Sequence, residues 1–204
     1  GEESVWRGLR DKVRNTVRKG KKAGLEIEWG KGRLDEFHAV YLGLMASKDR
    51  PAHSLDFFRN IFRHLPGHAR LLTVHAEGRL VGGTVVLCTP SVHMSTFQAA
   101  APNANARYSA TPFMEWEMAR QAIADGVRWL DMGESSPGSG TYKFKTNFGG
   151  APRELHYLSF SDSNSDEKKT GSGGKARLAA LLENSPMWLK KRLSLWRGRR
   201  GRII

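Results

Sequence analysis

The pattern of apolar residues at the N-terminus is that of an amphipathic helix. The apolar residues recur at steps of one, three and four: Val5, Trp6, Leu9, Val13 and Val17. This spacing places them on one face of an α-helix and predicts a single helix that ends at Gly24, a residue type common at helix C-termini. Apolar and polar residues then alternate over 25–29, which predicts a half-buried strand.

Two helices and a run of strands follow. The pattern predicts helices over 34–47 and 55–64, and Ser54 is placed to cap the second helix. Strand-like runs occupy 69–76, 80–88 and 92–99. Because Glu77-Gly78 separates the first two runs by a tight turn, the pattern predicts an antiparallel meander.

The later part of the chain alternates between helix and strand. We expect a loop over 102–110 and a helix over 111–124, with Thr111 as its N-cap and Pro112 in its first turn. The segments after Gly126 are a strand over 127–132, a glycine- and serine-rich turn over 133–140, a short helix or coil over 141–148 and a strand over 155–160. This order predicts an α/β (α+β) fold with a mixed, mostly antiparallel central sheet flanked by helices.

The chain divides by composition into three parts. Residues 1–160 form one predicted domain that includes the basic N-terminal helix. Residues 161–174 have the composition of a flexible linker. Leucines and tryptophans over 175–204 predict a basic C-terminal helix and tail.

Charge changes this picture only at the two ends. The 204 residues carry a formal charge of +13, yet residues 1–22 hold eight bases and three acids, and residues 175–204 hold nine bases and one acid. The segment between them is neutral. A basic excess confined to the ends is typical of contact with phosphates, nucleic acid or an anionic membrane face, although solvated helices would give the same pattern.

Composition excludes several classes of protein. The sequence is 39% hydrophobic and contains no run of about 18 apolar residues, so we expect neither a disordered chain nor a membrane-spanning helix. Cys88 is the single cysteine, and the seven histidines are scattered, so we expect no disulfide and no metal site. The N-terminus lacks the apolar core of a signal peptide, and we expect a cytoplasmic protein that could lie at the inner face of the membrane.

The segment over 131–150 is the strongest candidate for chemistry. It reads DMGESSPGSGTYKFKTNFGG: a strand end, a turn of glycines and hydroxyls, and a short aromatic and basic element. Such a segment can present backbone N–H groups and lysines to an anion or a developing oxyanion. The alternative is an ordinary strand-to-helix loop. The lysines lie too far from Gly140 for a phosphate-binding P-loop.

Weaker candidates lie in and before the helix over 111–124. Glu115 and Glu117 alternate with apolar residues; a solvated helix face is the favoured interpretation, and an acid or base in a cleft is the alternative. Arg107-Tyr108, with Asn103 and Asn105, could line a polar pocket or could simply be solvated.

The motif D-x-G-x-S-x-P-G-S-G-T-Y-K-F-K-x-x-F-G over 131–149 resembles that of the Fem-type transferases, the FemAB-like branch of the GNAT acyltransferase superfamily. Segments with the same resemblance are Arg14 to Leu25, Phe37 to Met45, Phe57-Phe58 and Asn184-Ser185-Pro186. The resemblance implies a GNAT-like sheet with a central splay and a reaction that transfers an acyl or aminoacyl group to an amine. In Fem enzymes the donor is aminoacyl-tRNA and the acceptor is the side-chain amine of a peptidoglycan precursor.

The resemblance also implies roles for individual residues. The family's Phe-Lys pair corresponds to Phe144 and Lys145, with Tyr142 beside them, and the ammonium would stabilise the donor phosphate or the tetrahedral oxyanion. The residues expected to bind substrate are Arg14, Arg18, Arg107, Tyr108, Glu134, Ser135, Ser139, Gly140 and Lys143. No bound cofactor is implied, because the donor, aminoacyl-tRNA or acyl-CoA, is itself a substrate. The expected partners are an amine acceptor such as a cell-envelope precursor, tRNA, and a membrane surface touched through the basic ends.

The sequence departs from the family pattern in three places. Fem-type proteins usually carry two such domains, so the chain is expected to be the C-terminal half of a longer protein or a short relative. The loop over 101–110 has no glycine, unlike the pyrophosphate loop of GNAT enzymes that bind acetyl-CoA. Glu134 stands where relatives often have Arg. Two alternatives therefore remain: an acyl-CoA-dependent N-acetyltransferase, and a non-catalytic module that binds RNA or an anionic surface.

Overall fold

A computed structural model of the protein describes residues 1–157. The helices in this range are α1 (Glu2–Gly8), α2 (Asp11–Lys22), α3 (Leu34–Ser47), α4 (Leu55–His64), α5 (Ala104–Tyr108), α6 (Ala110–Ala124) and α7 (Gly140–Asn147). The strands are β1 (Glu26–Trp29), β2 (Ala69–Ala76), β3 (Arg79–Cys88), β4 (Val92–Ala100) and β5 (Trp129–Asp131). The predicted linker over 161–174 and the predicted helix over 175–204 lie outside the described residues.

The five strands form one sheet whose spatial order, β1 to β5, follows the chain. Strands β1 to β4 pair antiparallel, and β5 pairs parallel to β4. At the predicted tight turn between β2 and β3, Glu77 and Gly78 both have positive φ, 53° and 73°. This is the conformation that joins twisted strands by two residues. The predicted fold class, a mixed and mostly antiparallel sheet flanked by helices, is confirmed.

Helices cover both faces of the sheet. On one face, Phe37 and Tyr41 of α3 and Phe58 of α4 pack against Leu71 and Val85. On the other face, α6 covers β2 and β3 through its own apolar set, Phe113, Met114 and Met118. Helix α2 packs on the outer side of α6, so that α6 is enclosed between the sheet and a second helix.

The N-terminal segment forms two helices, and the prediction of a single helix was wrong. The chain leaves the helical conformation at Leu9 (φ −71°, ψ 143°) and at Arg10 (φ −62°, ψ 146°). The guanidinium of Arg14 donates to the carbonyl oxygens of Arg7 and Leu9, at 2.9 and 2.8 Å. Trp6 packs edge-on against Trp116 of α6. Two helices, rather than one straight helix, thus bury Leu9, Val13 and Val17 of the apolar stripe, whereas Val5 stays exposed.

The predicted loop over 102–110 contains helix α5. Asn103 and Ser109, at its two ends, have positive φ, 62° and 58°. Helix α6 begins at Ala110, so the assignment of Thr111 as its N-cap was wrong. The side-chain oxygen of Asn105 accepts the Thr111 N–H at 2.7 Å instead. A cap from within α5 therefore replaces the local cap that the sequence pattern indicated.

Three further predictions concern strands and membrane spans. Strand β5 covers only three of the six predicted residues. Residues 155–157, the described part of the last predicted strand, are not in a strand. Within residues 1–157, every helix is too short or too polar to cross a bilayer.

Substitution of Gly83 by alanine should destabilise the sheet. A Cβ at this position would lie 2.9 Å from the carbonyl oxygen of Leu72 and 2.8 Å from the ring of Phe37. Overpacking of this kind costs about 1–3 kcal/mol. Urea unfolding of Gly83→Ala measures the loss. The control is Gly43→Ala in α3, where the new Cβ meets open space and stability should rise by up to about 1 kcal/mol. Equal stabilities for the two variants would contradict the packing argument.

Candidate functional site

The sheet opens between β4 and β5. Their parallel pairing covers only Val92 with Trp129, His93 with Leu130 and Met94 with Asp131. Strand β4 then continues for six residues, and in the described chain its β5-facing edge has no strand partner beyond Met94. This is the central splay that the resemblance implies. An open strand edge of this kind can pair with an extended ligand.

A β-bulge marks the start of the opening. Val85 pairs with Phe97 and Val86 pairs with Ser95, so Thr96 is the extra residue on β4. Its hydroxyl donates to the carbonyl oxygen of Val85 at 2.8 Å. Bulges bend a strand locally and increase its twist.

The turn after β5 stays close to β4 at one point. Gly133 has a φ of 75° and donates its N–H to the carboxylate of Asp131 at 2.7 Å. A Cβ at Gly133 would lie 3.2 Å from the carbonyl oxygen of Ser95. A glycine therefore allows the chain to turn against the edge of β4 at the head of the opening.

Lys145 of α7 lies against this turn. Its ammonium donates to the carbonyl oxygens of Gly133 and Glu134, at 2.8 and 2.9 Å. Helix α7 is placed by Ser139, whose hydroxyl accepts the Tyr142 N–H at 3.1 Å. Among residues 1–157 the ammonium has these two acceptors, so its third N–H is available for a substrate oxygen.

A buried carboxylate lies on α6 beside this cluster. Glu115 is 2% exposed, and its Oε1 accepts the side-chain N–H of Gln98 at 2.8 Å. Its other oxygen, Oε2, is buried and has no hydrogen-bond partner in the described residues. Gln98 comes from the unpaired part of β4, so the bond connects α6 to the strand that borders the opening.

Burial and neighbouring charges have opposite effects on the pKa of Glu115, and likewise on the pKa of Lys145. Burial raises the pKa of Glu115 to about 7, against the lowering effects of the Gln98 hydrogen bond and the Lys145 charge. Burial lowers the pKa of Lys145, while the charges of Glu115, Asp131 and Glu134 raise it. A carboxyl that titrates near neutrality next to a partly buried amine is characteristic of functional sites. Residues 1–157 contain no cluster of side chains suited to a metal ion.

Family comparison agrees with the sheet and its opening. The family model of the acetyltransferase (GNAT) domain matches residues 7–146. The chain belongs to the GNAT acetyltransferase family. A search among curated proteins found no match.

Solved GNAT structures share the fold at low sequence identity. FemX superimposes with a TM-score of 0.64 at 15% identity, over 73% of this chain and 56% of FemX, so the chain spans little more than half of FemX. The aminoglycoside N-acetyltransferase AAC(6')-Iy in complex with CoA superimposes with a TM-score of 0.54 at 16% identity, over 67% of this chain and 94% of that one. A ribosomal-protein-alanine N-acetyltransferase from Brucella melitensis biovar Abortus 2308 has a TM-score of 0.51 at 15% identity, over 68% and 99%.

The GNAT fold brings part of the predicted site together around Lys145. Phe144 packs with Phe148 in the apolar cluster under α7, so it anchors the helix that carries Lys145. Ser139 caps α7, Gly140 begins it, and the Ser135 hydroxyl donates to the carbonyl oxygen of Glu134. Tyr142 is half-buried on the same helix, and Lys143 is exposed.

Four predicted substrate residues have partners elsewhere. Arg14 caps the end of α1, and the Arg18 guanidinium lies 5.5 Å from the centre of the Trp6 ring. Arg107 forms a salt bridge with Glu77 at 3.0 Å, and Tyr108 packs against the core under α6. Their roles in substrate binding stay predictions.

The interpretation of Glu115 and Glu117 as a solvated helix face was wrong. They are 2% and 4% exposed, because α6 lies between the sheet and α2 and has little face left for water. Glu117 pairs with Arg120 at 2.7 Å, whereas Glu115 faces Gln98. Gln98 was missed altogether. For the two glutamates, the sequence did carry a signal of burial: two carboxylates in an otherwise apolar run from Phe113 to Met118.

Glu115→Gln should change the pH dependence of stability. Because burial raises the pKa of Glu115 to about 7, its contribution to stability is fully present at acid pH and is lost as pH rises through about 7. The loss amounts to about 3 kcal/mol. Glutamine cannot ionise, so the variant should gain on the wild type between about pH 4.5 and pH 7 and then keep a constant advantage. Urea unfolding of both proteins across this range measures it, and curves that stay parallel would contradict the assignment.

Proposed function

We propose that this chain is an acyltransferase of the Fem type that transfers an aminoacyl or acyl group to an amine of a cell-envelope precursor. The observation that carries the proposal is the ammonium of Lys145, which two backbone carbonyls hold at the head of the opening between β4 and β5. The Lys145 position is also that of the family's Phe-Lys pair. We further propose that the reaction takes place in the cytoplasm, at the inner face of the membrane.

The chemistry needs an oriented donor and a stabilised oxyanion. The acceptor amine attacks the carbonyl carbon of the donor ester or thioester, the carbonyl oxygen becomes an oxyanion, and the donor's oxygen or sulfur leaves with a proton from the amine. A fixed cation beside the developing oxyanion lowers the barrier, because it needs no reorganisation during the reaction. Alignment of the two substrates in the opening supplies the rest.

The start of α6 supports a donor other than CoA. A helix N-terminus binds phosphate through its first free N–H groups. Here the Thr111 N–H is taken by Asn105 at 2.7 Å, and the next residue, Pro112, has no N–H. Helix α5 also stands where a glycine-rich pyrophosphate loop would otherwise lie. These features favour aminoacyl-tRNA as the donor.

The surface of α2 agrees with an RNA-borne donor. Its exposed cations are Lys12, Arg18, Lys19, Lys21 and Lys22. Lys19 of the same helix donates to the carbonyl oxygen of Ala106 at 2.7 Å, which fixes α2 against α5. Cations along a helix near the start of α6 can neutralise successive phosphates of a nucleic acid backbone.

The second candidate is an acyl-CoA-dependent N-acetyltransferase. The open edge of β4 favours it, as does the fold shared with AAC(6')-Iy in complex with CoA. On this alternative the extended arm of the donor would pair with β4, and its pyrophosphate would have to bind somewhere other than the capped start of α6.

Lys145→Met should lower kcat of amine acylation by about 100- to 1,000-fold, as the loss of one oxyanion donor does in other enzymes. The side chains are of similar length, so packing is largely retained. Steady-state kinetics with an aminoacyl-tRNA donor measure the effect. Lys48→Met, an exposed lysine beside the end of α3, is the control and should keep the wild-type rate. Wild-type kcat in Lys145→Met would contradict the assigned role.

Donor preference can be measured by binding alone. Millimolar CoA should leave the Tm unchanged, because a ligand stabilises a protein only when its concentration reaches the range of its Kd. Aminoacyl-tRNA should bind and then dissociate steeply as salt rises, because each phosphate contact releases counterions. Fluorescence thermal shift and filter binding give the two readouts. A clear rise in Tm with CoA, together with amine acylation that does not fall as salt rises, would favour the acyl-CoA-dependent N-acetyltransferase.

A further inference from the structure

Glu115 is a buried carboxylate that lacks a full set of hydrogen-bond partners in the described residues. Glu115 lies on α6 between Met114 and Trp116, both of which are almost fully buried. One oxygen is paired with Gln98, and the other has no partner among residues 1–157. Such burial costs free energy that a glutamine or a methionine would avoid. We therefore expect Glu115 to make an interaction that offsets this cost and that is used at the functional site.

The groups around Glu115 identify that interaction. Gln98 of β4 donates to Glu115 at 2.8 Å. Three residues earlier on the same strand, the carbonyl oxygen of Ser95 lies against Gly133, whose own carbonyl oxygen accepts from the Lys145 ammonium at 2.8 Å. Lys145 is also the cation whose charge lowers the pKa of the Glu115 carboxyl. The charges of three carboxylates, those of Glu115, Asp131 and Glu134, raise the pKa of Lys145. Of these three, only Glu115 is buried; Asp131 and Glu134 are exposed. Water and salt screen a buried charge less than an exposed one, so Glu115 has the largest effect of the three carboxylates on the pKa of the Lys145 amine.

We propose that Glu115 is a positioning residue that keeps the Lys145 amine in its charged form, and that Gln98 sets the charge of Glu115 through its hydrogen bond. This inference rests on the proposed function, because it assigns the charged lysine to oxyanion stabilisation. Glu115 has a buried, unpartnered oxygen and is not exposed to substrate, so it acts through Lys145.

The direction of the coupling follows from the two pKa shifts. Burial lowers the pKa of Lys145, and the Glu115 carboxylate is the largest influence that raises it again. Loss of the carboxylate therefore lowers the pKa of Lys145 further. Loss of the Gln98 hydrogen bond raises the pKa of Glu115, so that the carboxyl stays neutral to higher pH. The two changes have the same effect on Lys145 near neutrality and different effects at alkaline pH.

Competitive labelling with trace acetic anhydride tests the coupling without any substrate. The fraction of Lys145 in the reactive amine form is read by mass spectrometry against Lys48 in the same molecule, over a series of pH values. In Glu115→Gln, Lys145 should label several-fold faster than in the wild type at mildly alkaline pH. Unchanged labelling would overturn the proposal.

Two further variants separate coupling from packing. In Gln98→Met, labelling of Lys145 should be raised near neutrality and should return to the wild-type value at higher pH, where Glu115 ionises again. Glu117→Gln removes the neighbouring buried carboxylate of α6, which pairs with Arg120, and should leave Lys145 labelling as in the wild type. A change of equal size in Glu117→Gln would show a general disturbance of α6 and would overturn the proposal.

Kinetics then connect the coupling to the reaction. The alkaline limb of the kcat profile should move to lower pH in Glu115→Gln, with KM little changed, because the charged form of Lys145 is lost earlier. A limb that stays in place while labelling rises would overturn the role of Glu115 in catalysis. A wild-type protein that transfers no acyl group would instead contradict the proposed function, and the labelling result would still decide whether Glu115 controls the charge of Lys145.

Discussion

Strand β5 pairs with β4 over only three residues, and the candidate site lies around the opening between the two strands beyond this pairing. Without a neighbouring strand, the backbone edge of β4 beyond Met94 would be exposed or buried without partners, and either outcome carries a cost. Next to this edge, β4 has a bulge at Thr96, and Gly133 of the turn after β5 lies close to the backbone of β4. In the described residues, what remains is an edge of β4 with no strand partner, and an extended peptide-like segment can pair with such an edge as an added strand.

The same opening accounts for the charges around it. Lys145 enters from α7 and donates to the carbonyl oxygens of Gly133 and Glu134, in the turn that follows β5. An ammonium in a partly buried position needs an anion nearby, and the buried one is Glu115 on α6. Loss of Lys145 would leave the carbonyl oxygens of Gly133 and Glu134 without this donor, and loss of Glu115 would remove the charge that raises the pKa of Lys145 most.

Regular elements were largely predictable from the sequence, and their junctions were not. The β2–β3 hairpin and helices α3 and α4 follow from local period and turn chemistry, which their tertiary contacts reinforce. The break between α1 and α2 depends on Trp6 reaching Trp116, a contact between residues far apart in the chain. Likewise, the burial of Glu115 depends on α2 covering α6, whereas Lys145 could be named because its motif is local. Gln98 had no signal, because a polar residue in a strand is usually solvated.

Helix α5 limits which groups can bind at the start of α6. A phosphate at the start of α6 would have to displace Asn105 from the Thr111 N–H, and this bond closes the path from α5 into α6. Displacement would also strain the turn at Ser109, whose positive φ of 58° is sustained by the surrounding contacts. Lys19 and Arg107 hold α5 from two sides, through Ala106 and Glu77. Both contacts keep α5 beside the start of α6, where the Thr111 N–H is already bonded to Asn105 and is not free to bind a phosphate.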